Sequence, residues 1–153
     1  MSPTSHEVLL RDAGLRVTAP RLAVLAEVQT HPHATAESVR VAVHERLGTV
    51  STQAVYGVLN TLTSAGILRR FEPEGSASRY ELFRGDNHHH AVCRSCGQVT
   101  DVACATGTAP CLHAPEGHGF EIEMAEVIYW GTCPSCLSHP VDDSTAPHQK
   151  EKA

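Results

Sequence analysis

The sequence predicts an α+β protein, with an N-terminal winged helix-turn-helix domain followed by a small α/β domain. Three observations support this fold class: helical apolar periodicity up to about residue 66, two short strand-like runs around the turn-prone "EPEGSAS", and strand-like, cysteine-bearing sequence beyond residue 85. We therefore predict domains at 1–84 and 85–137. Residues 138–153 lack apolar periodicity and are predicted to form a disordered tail.

Two helices are delimited by residues that favour helix ends. "TAPRLAVLAEVQT" begins with Thr18 as a predicted N-cap and carries Pro20 in its first turn. "TAESVRVAVHERLG" begins at Thr35 and stops at Gly48, a residue type that commonly ends helices.

A third helix, "STQAVYGVLNTLTSAG", is predicted to start at Ser51 and to be amphipathic. Its apolar positions recur at helical spacing, at Val55, Val58, Leu59 and Leu62. The opposite face is polar but short of charge, with Thr52, Gln53, Tyr56, Gly57 and Asn60. A face that meets only solvent usually carries more Lys and Glu, whereas hydroxyl, amide and phenol groups suit base edges and phosphates. This pattern indicates a DNA-recognition helix.

The hairpin that follows completes the order of a winged helix, with Arg69, Arg70 and Arg79 on the predicted wing. The alternative is a small helical domain whose polar third helix packs on a partner protein.

The distribution of charge along the chain supports the winged-helix interpretation. Residues 1–84 hold nine arginines and eight acidic residues, whereas residues 85–153 hold three basic and nine acidic residues. Although the whole chain has a net charge of −5, its basic residues are concentrated in the first domain. No stretch reaches the roughly 20 apolar residues of a membrane span, and the N-terminus lacks the pattern of a signal peptide, so we expect a cytoplasmic protein without a membrane partner.

Four cysteines form two Cys-x-x-Cys motifs, Cys93/Cys96 and Cys133/Cys136, with 36 residues between the motifs. Two such motifs supply the four thiolates of a closed tetrahedral Zn²⁺ site, which is structural because no position stays open for substrate. The alternative, a redox Cys-x-x-Cys, is expected as one motif at a helix start after a strand.

Three consecutive histidines precede the first motif. If "HHHAVC" is a strand, His88 and His90 point to one face and His89 to the other. The carboxylates near them in sequence are Glu81 and Asp101. Imidazole and carboxylate together favour Fe(II), Mn(II), Co(II) or Zn(II), although the same pattern also occurs on a polar strand face without metal.

The motifs "GLRVTAPRLAVL", "STQAVYGVLNTL", "ASRYEL", "HHHAVCRSCG" and "YWGTCPSC" occur in this order, and together they resemble the ferric uptake regulator family of metal-dependent repressors. The resemblance runs from about Leu10 to Cys136. It implies a homodimer that binds double-stranded operator DNA and joins through its C-terminal domain. It implies no enzymatic activity; the enzyme alternative, a non-haem iron oxygenase, would need room for substrate and oxygen.

The resemblance also implies functional residues. The structural zinc ligands are Cys93, Cys96, Cys133 and Cys136. A regulatory Fe²⁺ or Mn²⁺ is expected at the domain hinge, on His33, Glu81, His88, His90 and Asp101. The predicted DNA-binding residues are Ser51, Thr52, Gln53, Tyr56 and Arg70, and the resemblance adds Arg16.

The C-terminal motifs look most like the actinobacterial members that respond to iron and peroxide, in which a coordinating histidine is oxidised. A further metal site of many members should be absent or impaired, because its positions are Asn87, His89 and Ala125 here. The structure of residues 103–119 is left open. Two alternatives remain: a zinc or nickel sensor of the same family, and a repressor controlled by redox chemistry of Cys104 and Cys111.

Overall fold

A computed structural model describes residues 3–85, 88–103, 119–121 and 126–139. The chain forms two compact units, Met1–Asp86 and Asn87–Ala153. No helix among the described residues is long and apolar enough to cross a membrane.

The first unit begins with four helices: α1 (Pro3–Asp12), α2 (Ala19–Thr30), α3 (Ala36–Leu47) and α4 (Thr52–Ser64). The predicted starts of α3 and α4 are confirmed, and each helix has a side-chain cap. The Thr35 hydroxyl accepts a hydrogen bond from the Ser38 N–H at 3.1 Å, and the Ser51 hydroxyl accepts one from the Ala54 N–H at 3.2 Å. Thr18 occupies the N-cap position of α2 in extended conformation, but its side chain makes no capping bond to a described residue.

The apolar faces of these helices meet in one core. Of the predicted apolar positions of α4, Val55, Leu59 and Leu62 are fully buried and Val58 is partly buried. Helix α3 adds Val39 and Val43, at 1% exposure or less. α2 contributes Val24, Leu25 and Val28, and α1 contributes Leu10. Burial of these apolar side chains fixes α4 with its polar face outward.

The wing is a three-stranded sheet. It consists of β1 (Ala34–Thr35), β2 (Leu68–Phe71) and β3 (Arg79–Leu82), in the order β1-β3-β2 with both pairings antiparallel. The predicted hairpin is confirmed, and its loop turns at Gly75, whose φ of +71° is accessible to glycine at little cost.

The second unit contains a sheet of three strands, β4 (His88–Cys93), β5 (Val99–Ala103) and β6 (Ile128–Gly131), and the short helix α5 (Pro134–Ser138). The strand order is β5-β4-β6. β5 runs antiparallel and β6 parallel to the central strand. The α+β fold class is therefore confirmed.

Several features differ from the sequence interpretation. Helices α1 and α5 and the two-residue strand β1 were not predicted. Ser138, the first residue of the predicted tail, is the last residue of α5. The described residues do not include 104–118, which contain Cys104 and Cys111, or the tail from residue 140 onward. Asn87 and Ala125 are also outside them.

Candidate metal centres and DNA-binding face

The four cysteines of the two motifs are brought together in the second unit, with thiol sulfurs within 4.8 Å of one another. Cys93 ends β4 and Cys96 lies in the turn that follows, while Cys133 is the N-cap of α5 and Cys136 lies within that helix. The parallel pairing of β4 with β6 places Cys93 opposite Gly131, two residues before Cys133. The strand register therefore explains how motifs far apart in sequence meet.

The cluster has the dimensions of a four-thiolate zinc site. The Sγ atoms of Cys96 and Cys133 are 3.7 Å apart. A tetrahedral Zn²⁺ with bonds of about 2.3 Å separates its sulfurs by roughly 3.8 Å. A disulfide needs about 2.05 Å, and all four thiols are free. The residues present therefore fit Zn²⁺.

Hydrogen bonds and neighbouring sulfurs shift the pKa values of Cys93 and Cys136 in opposite directions. The Cys133 N–H donates to the Cys93 Sγ at 3.3 Å. This bond, with a further one from the Cys96 N–H, lowers the pKa of Cys93 to about 6. The neighbouring sulfurs of Cys133 and Cys96 raise the pKa of Cys136 to about 12. Metal binding must therefore release a proton from Cys136.

The second unit also holds a group of histidines beside a carboxylate. The predicted alternation in β4 is confirmed: the rings of His88 and His90 lie on one face with centroids 5.0 Å apart, whereas His89 stacks edge-on to Tyr129 at 6.1 Å. Asp101, the cross-strand partner of His90, approaches both histidines. Its Oδ1 lies 3.7 Å from Nε2 of His88 and 3.8 Å from Nε2 of His90.

The first unit also holds a histidine beside a carboxylate, His33 and Glu81. The His33 Nε2 is 3.3 Å from the Glu81 Oε2, and both side chains are largely buried. His33 has a φ of +66°, a left-handed conformation that non-glycine residues rarely adopt. Its N–H donates to the Tyr80 carbonyl at 3.0 Å, and its own carbonyl accepts from the Arg79 Nη1 at 3.3 Å. Strand β3 therefore holds both the backbone and the carboxylate partner of this histidine.

Arg69 lies on the wing strand β2, as the sequence predicts, but its side chain does not face solvent. Its side chain is only 9% exposed, and its Nε lies 3.8 Å from the Glu81 Oε1. The neighbouring Arg70 is 45% exposed and bonds Ser78 at 3.1 Å and Glu72 at 3.0 Å. Alternation along β2 separates the two arginines, and only Arg70 faces outward from the wing.

The predicted DNA-binding residues lie at the surface of the first unit. Ser51, Thr52, Gln53 and Tyr56 on α4 are exposed, as are Arg16 and Arg70. A groove of about 440 Å³ runs between the start of α3, α4 and the wing, and its lining includes Tyr56, Asn60 and Arg70. Asn60 was predicted on the polar face but not among the DNA-binding residues; its place in the groove depends on the wing, which helix periodicity cannot reveal.

A winged helix with an uncharged polar recognition helix, followed in the same chain by a sheet carrying a four-thiol cluster, defines a metal-responsive transcriptional regulator. The model of the ferric uptake regulator family matches residues 12–130. The chain belongs to this family, whose members are transcriptional regulators that bind operator DNA and form dimers.

Individual relatives agree with this assignment. The transcriptional regulator FurA of Mycobacterium tuberculosis is 55% identical over 139 residues, which cover 91% of this chain and 92% of FurA. The ferric uptake regulator of Francisella tularensis, solved with iron, superposes with a TM-score of 0.68 at 27% identity, covering 81% of this chain and 96% of that one. The Pseudomonas aeruginosa regulator, solved with manganese, gives 0.66 at 28% identity, covering 84% and 98%.

Proposed function

We propose that this protein is a metal-activated repressor that binds operator DNA as a homodimer and responds to iron and peroxide. Cys93, Cys96, Cys133 and Cys136 would hold a structural Zn²⁺. A regulatory Fe²⁺ or Mn²⁺ would be held by His33, Glu81, His88, His90 and Asp101.

The observation that carries this proposal is the division of the hard ligands between the two units. His33 and Glu81 belong to the unit that contains α4, whereas His88, His90 and Asp101 belong to the unit that contains the four thiols. Ligation of one ion by all five residues would restrict how the units are arranged. A dimer must present its two recognition helices about one DNA turn apart, roughly 34–36 Å or a multiple, so a restricted arrangement favours binding.

The donor chemistry supports the choice of metal. Three imidazoles and two carboxylates form a harder shell than four thiolates, and such a shell suits Fe²⁺ or Mn²⁺. Relatives solved with iron and with manganese are consistent with this choice.

DNA recognition by α4 is tested by Tyr56→Ala. Tyr56 is 40% exposed on the polar face of α4, so its loss should remove base contacts while the core remains intact. We expect an affinity loss of about 1–3 kcal/mol on a DNA site selected from a random pool, with a changed base preference. Fluorescence anisotropy with Mn²⁺-loaded protein measures both.

Arg16→Ala is the contrasting variant. Arg16 is exposed and lies outside α4, so its loss should weaken selected and random DNA alike and reduce the salt dependence. If Tyr56→Ala also weakens both DNAs equally, α4 does not read the sequence.

Peroxide sensing is tested by mass spectrometry. Bound Fe²⁺ would give one electron to the O–O bond of peroxide beside its ligands and regain one from the oxidised imidazole, so that peroxide is the net oxidant. We expect one oxygen atom to be added to the ring of His33 or His88, with the second peroxide oxygen leaving as water and DNA binding lost. Protein loaded with Mn²⁺ should remain unmodified under the same treatment.

The thiol alternative predicts a different outcome. If peroxide releases the DNA while both histidines stay unmodified and a Cys104–Cys111 disulfide forms, the sensor is the thiol pair. These two cysteines lie outside the described residues.

A further inference from the structure

The carboxylate of Glu81 has a cationic neighbour inside its own unit. Arg69 and Glu81 are direct cross-strand partners in the β2–β3 hairpin. The Arg69 Nε lies 3.8 Å from one carboxylate oxygen, and the His33 Nε2 lies 3.3 Å from the other. The Arg69 and Glu81 side chains are only 9% and 6% exposed. The positive charge of Arg69 and the carboxylate of Glu81, a predicted metal ligand, therefore lie side by side in a buried environment.

The guanidinium of arginine is a permanent positive charge in proteins. A buried carboxylate needs a counter-charge, and removal of that partner is costly. Among the described residues, Glu81 is the carboxylate with which Arg69 forms an ion pair. Arg69 therefore compensates Glu81 whenever no metal is present.

We propose that Arg69 competes with the regulatory metal for Glu81 and thereby sets the metal concentration at which the regulator loads. This inference rests on the proposed role of Glu81 as a metal ligand. A cation on the Glu81 carboxylate and the Arg69 guanidinium would be two positive charges at close range, where little water screens their repulsion. Metal binding therefore requires the guanidinium to leave the carboxylate.

The test is Arg69→Gln, which removes the charge and keeps a polar side chain. Mn²⁺ is titrated by calorimetry into full-length protein whose four-cysteine site already holds zinc. We expect the Arg69→Gln variant to bind Mn²⁺ at least about fivefold more tightly than the wild-type protein does. The melting temperature of the Mn²⁺-free variant should fall, because Glu81 loses the guanidinium of Arg69. A residue with a purely structural role would weaken metal binding and stability together.

Two further variants isolate the effect. Arg11→Gln removes an equal charge from the exposed Arg11–Glu7 pair of α1. This control should change neither the Mn²⁺ affinity nor the melting temperature. Arg69→Lys keeps the charge and should retain the wild-type affinity within about twofold. Unchanged or weaker Mn²⁺ binding by Arg69→Gln overturns the inference and leaves the proposed function standing.

A measurement on the wild-type protein covers the case in which Arg69→Gln does not fold. Phenylglyoxal labelling read by mass spectrometry should modify Arg69 little without Mn²⁺ and readily at saturating Mn²⁺, whereas Arg11 reacts equally in both states. Equal protection of Arg69 in both states contradicts the competition. If Glu81→Gln binds Mn²⁺ as tightly as wild type, the proposed ligand assignment fails, and this inference fails with it.

Discussion

Replacing Cys133 by serine is expected to lower the free energy of unfolding by about 4 kcal/mol and the melting temperature by roughly 15–30 °C. The thiol of Cys133 lies 3.7 Å from that of Cys96, and the Cys133 N–H donates to the Cys93 Sγ at 3.3 Å. The zinc that these groups would hold connects the turn after β4 to α5, so its binding free energy is part of folding. Dimer content should decrease together with stability, as measured by analytical ultracentrifugation.

The matched control is Cys104→Ser, which makes the same chemical change at a cysteine that is not a predicted zinc ligand. In reducing buffer this variant should keep its zinc, its melting temperature and its dimer content. If Cys133→Ser retains full stability after its zinc is lost, the four-cysteine site is not structural.

Replacing His90 by alanine is expected to abolish metal activation of DNA binding. His90 is fully buried and shares Asp101 with His88, so its loss removes a central donor from the second unit. A coupling of about 1–3 kcal/mol between metal and DNA corresponds to a 5–150-fold change in affinity, and this increment should disappear. DNA titrations with and without Mn²⁺ measure it directly.

His89→Ala is a closely matched control. His89 is the next residue along β4 and is also buried, at 3% exposure, but it faces Tyr129 on the other side of the sheet. Both variants should lose packing to a similar degree, so their melting temperatures should fall alike. Loss of metal activation in both variants to the same extent would show that β4 acts only through stability.

Local chemistry explains why much of the fold could be predicted. The caps Thr35 and Ser51 bond N–H groups only three residues ahead, so short-range sequence is sufficient to place the starts of α3 and α4. The alternation of His88, His89 and His90 follows from strand geometry alone. Helix α5 was not predicted, although Pro134 in its first turn favours a helix start.

The unpredicted parts of the candidate sites depend on tertiary contacts. The left-handed backbone of His33 is held by Tyr80 and Arg79, which lie more than 40 residues further along the chain. Arg69 lies on the predicted wing, and the register of β2 against β3 places it opposite Glu81. Composition cannot distinguish Arg69 from Arg70; only the pairing of the strands does so.

Strand β1 limits how far His33 can move independently of α3. Only Ala34 separates His33 from Thr35, the N-cap of α3, and both Ala34 and Thr35 are paired with β3 in extended conformation. Strand residues advance about 3.2–3.4 Å each, against a maximum of about 3.6 Å for a fully stretched chain. The two steps from His33 to Thr35 therefore contain less than about 1 Å of slack. Any larger pull on His33 away from α3 must displace the first turn of that helix as well.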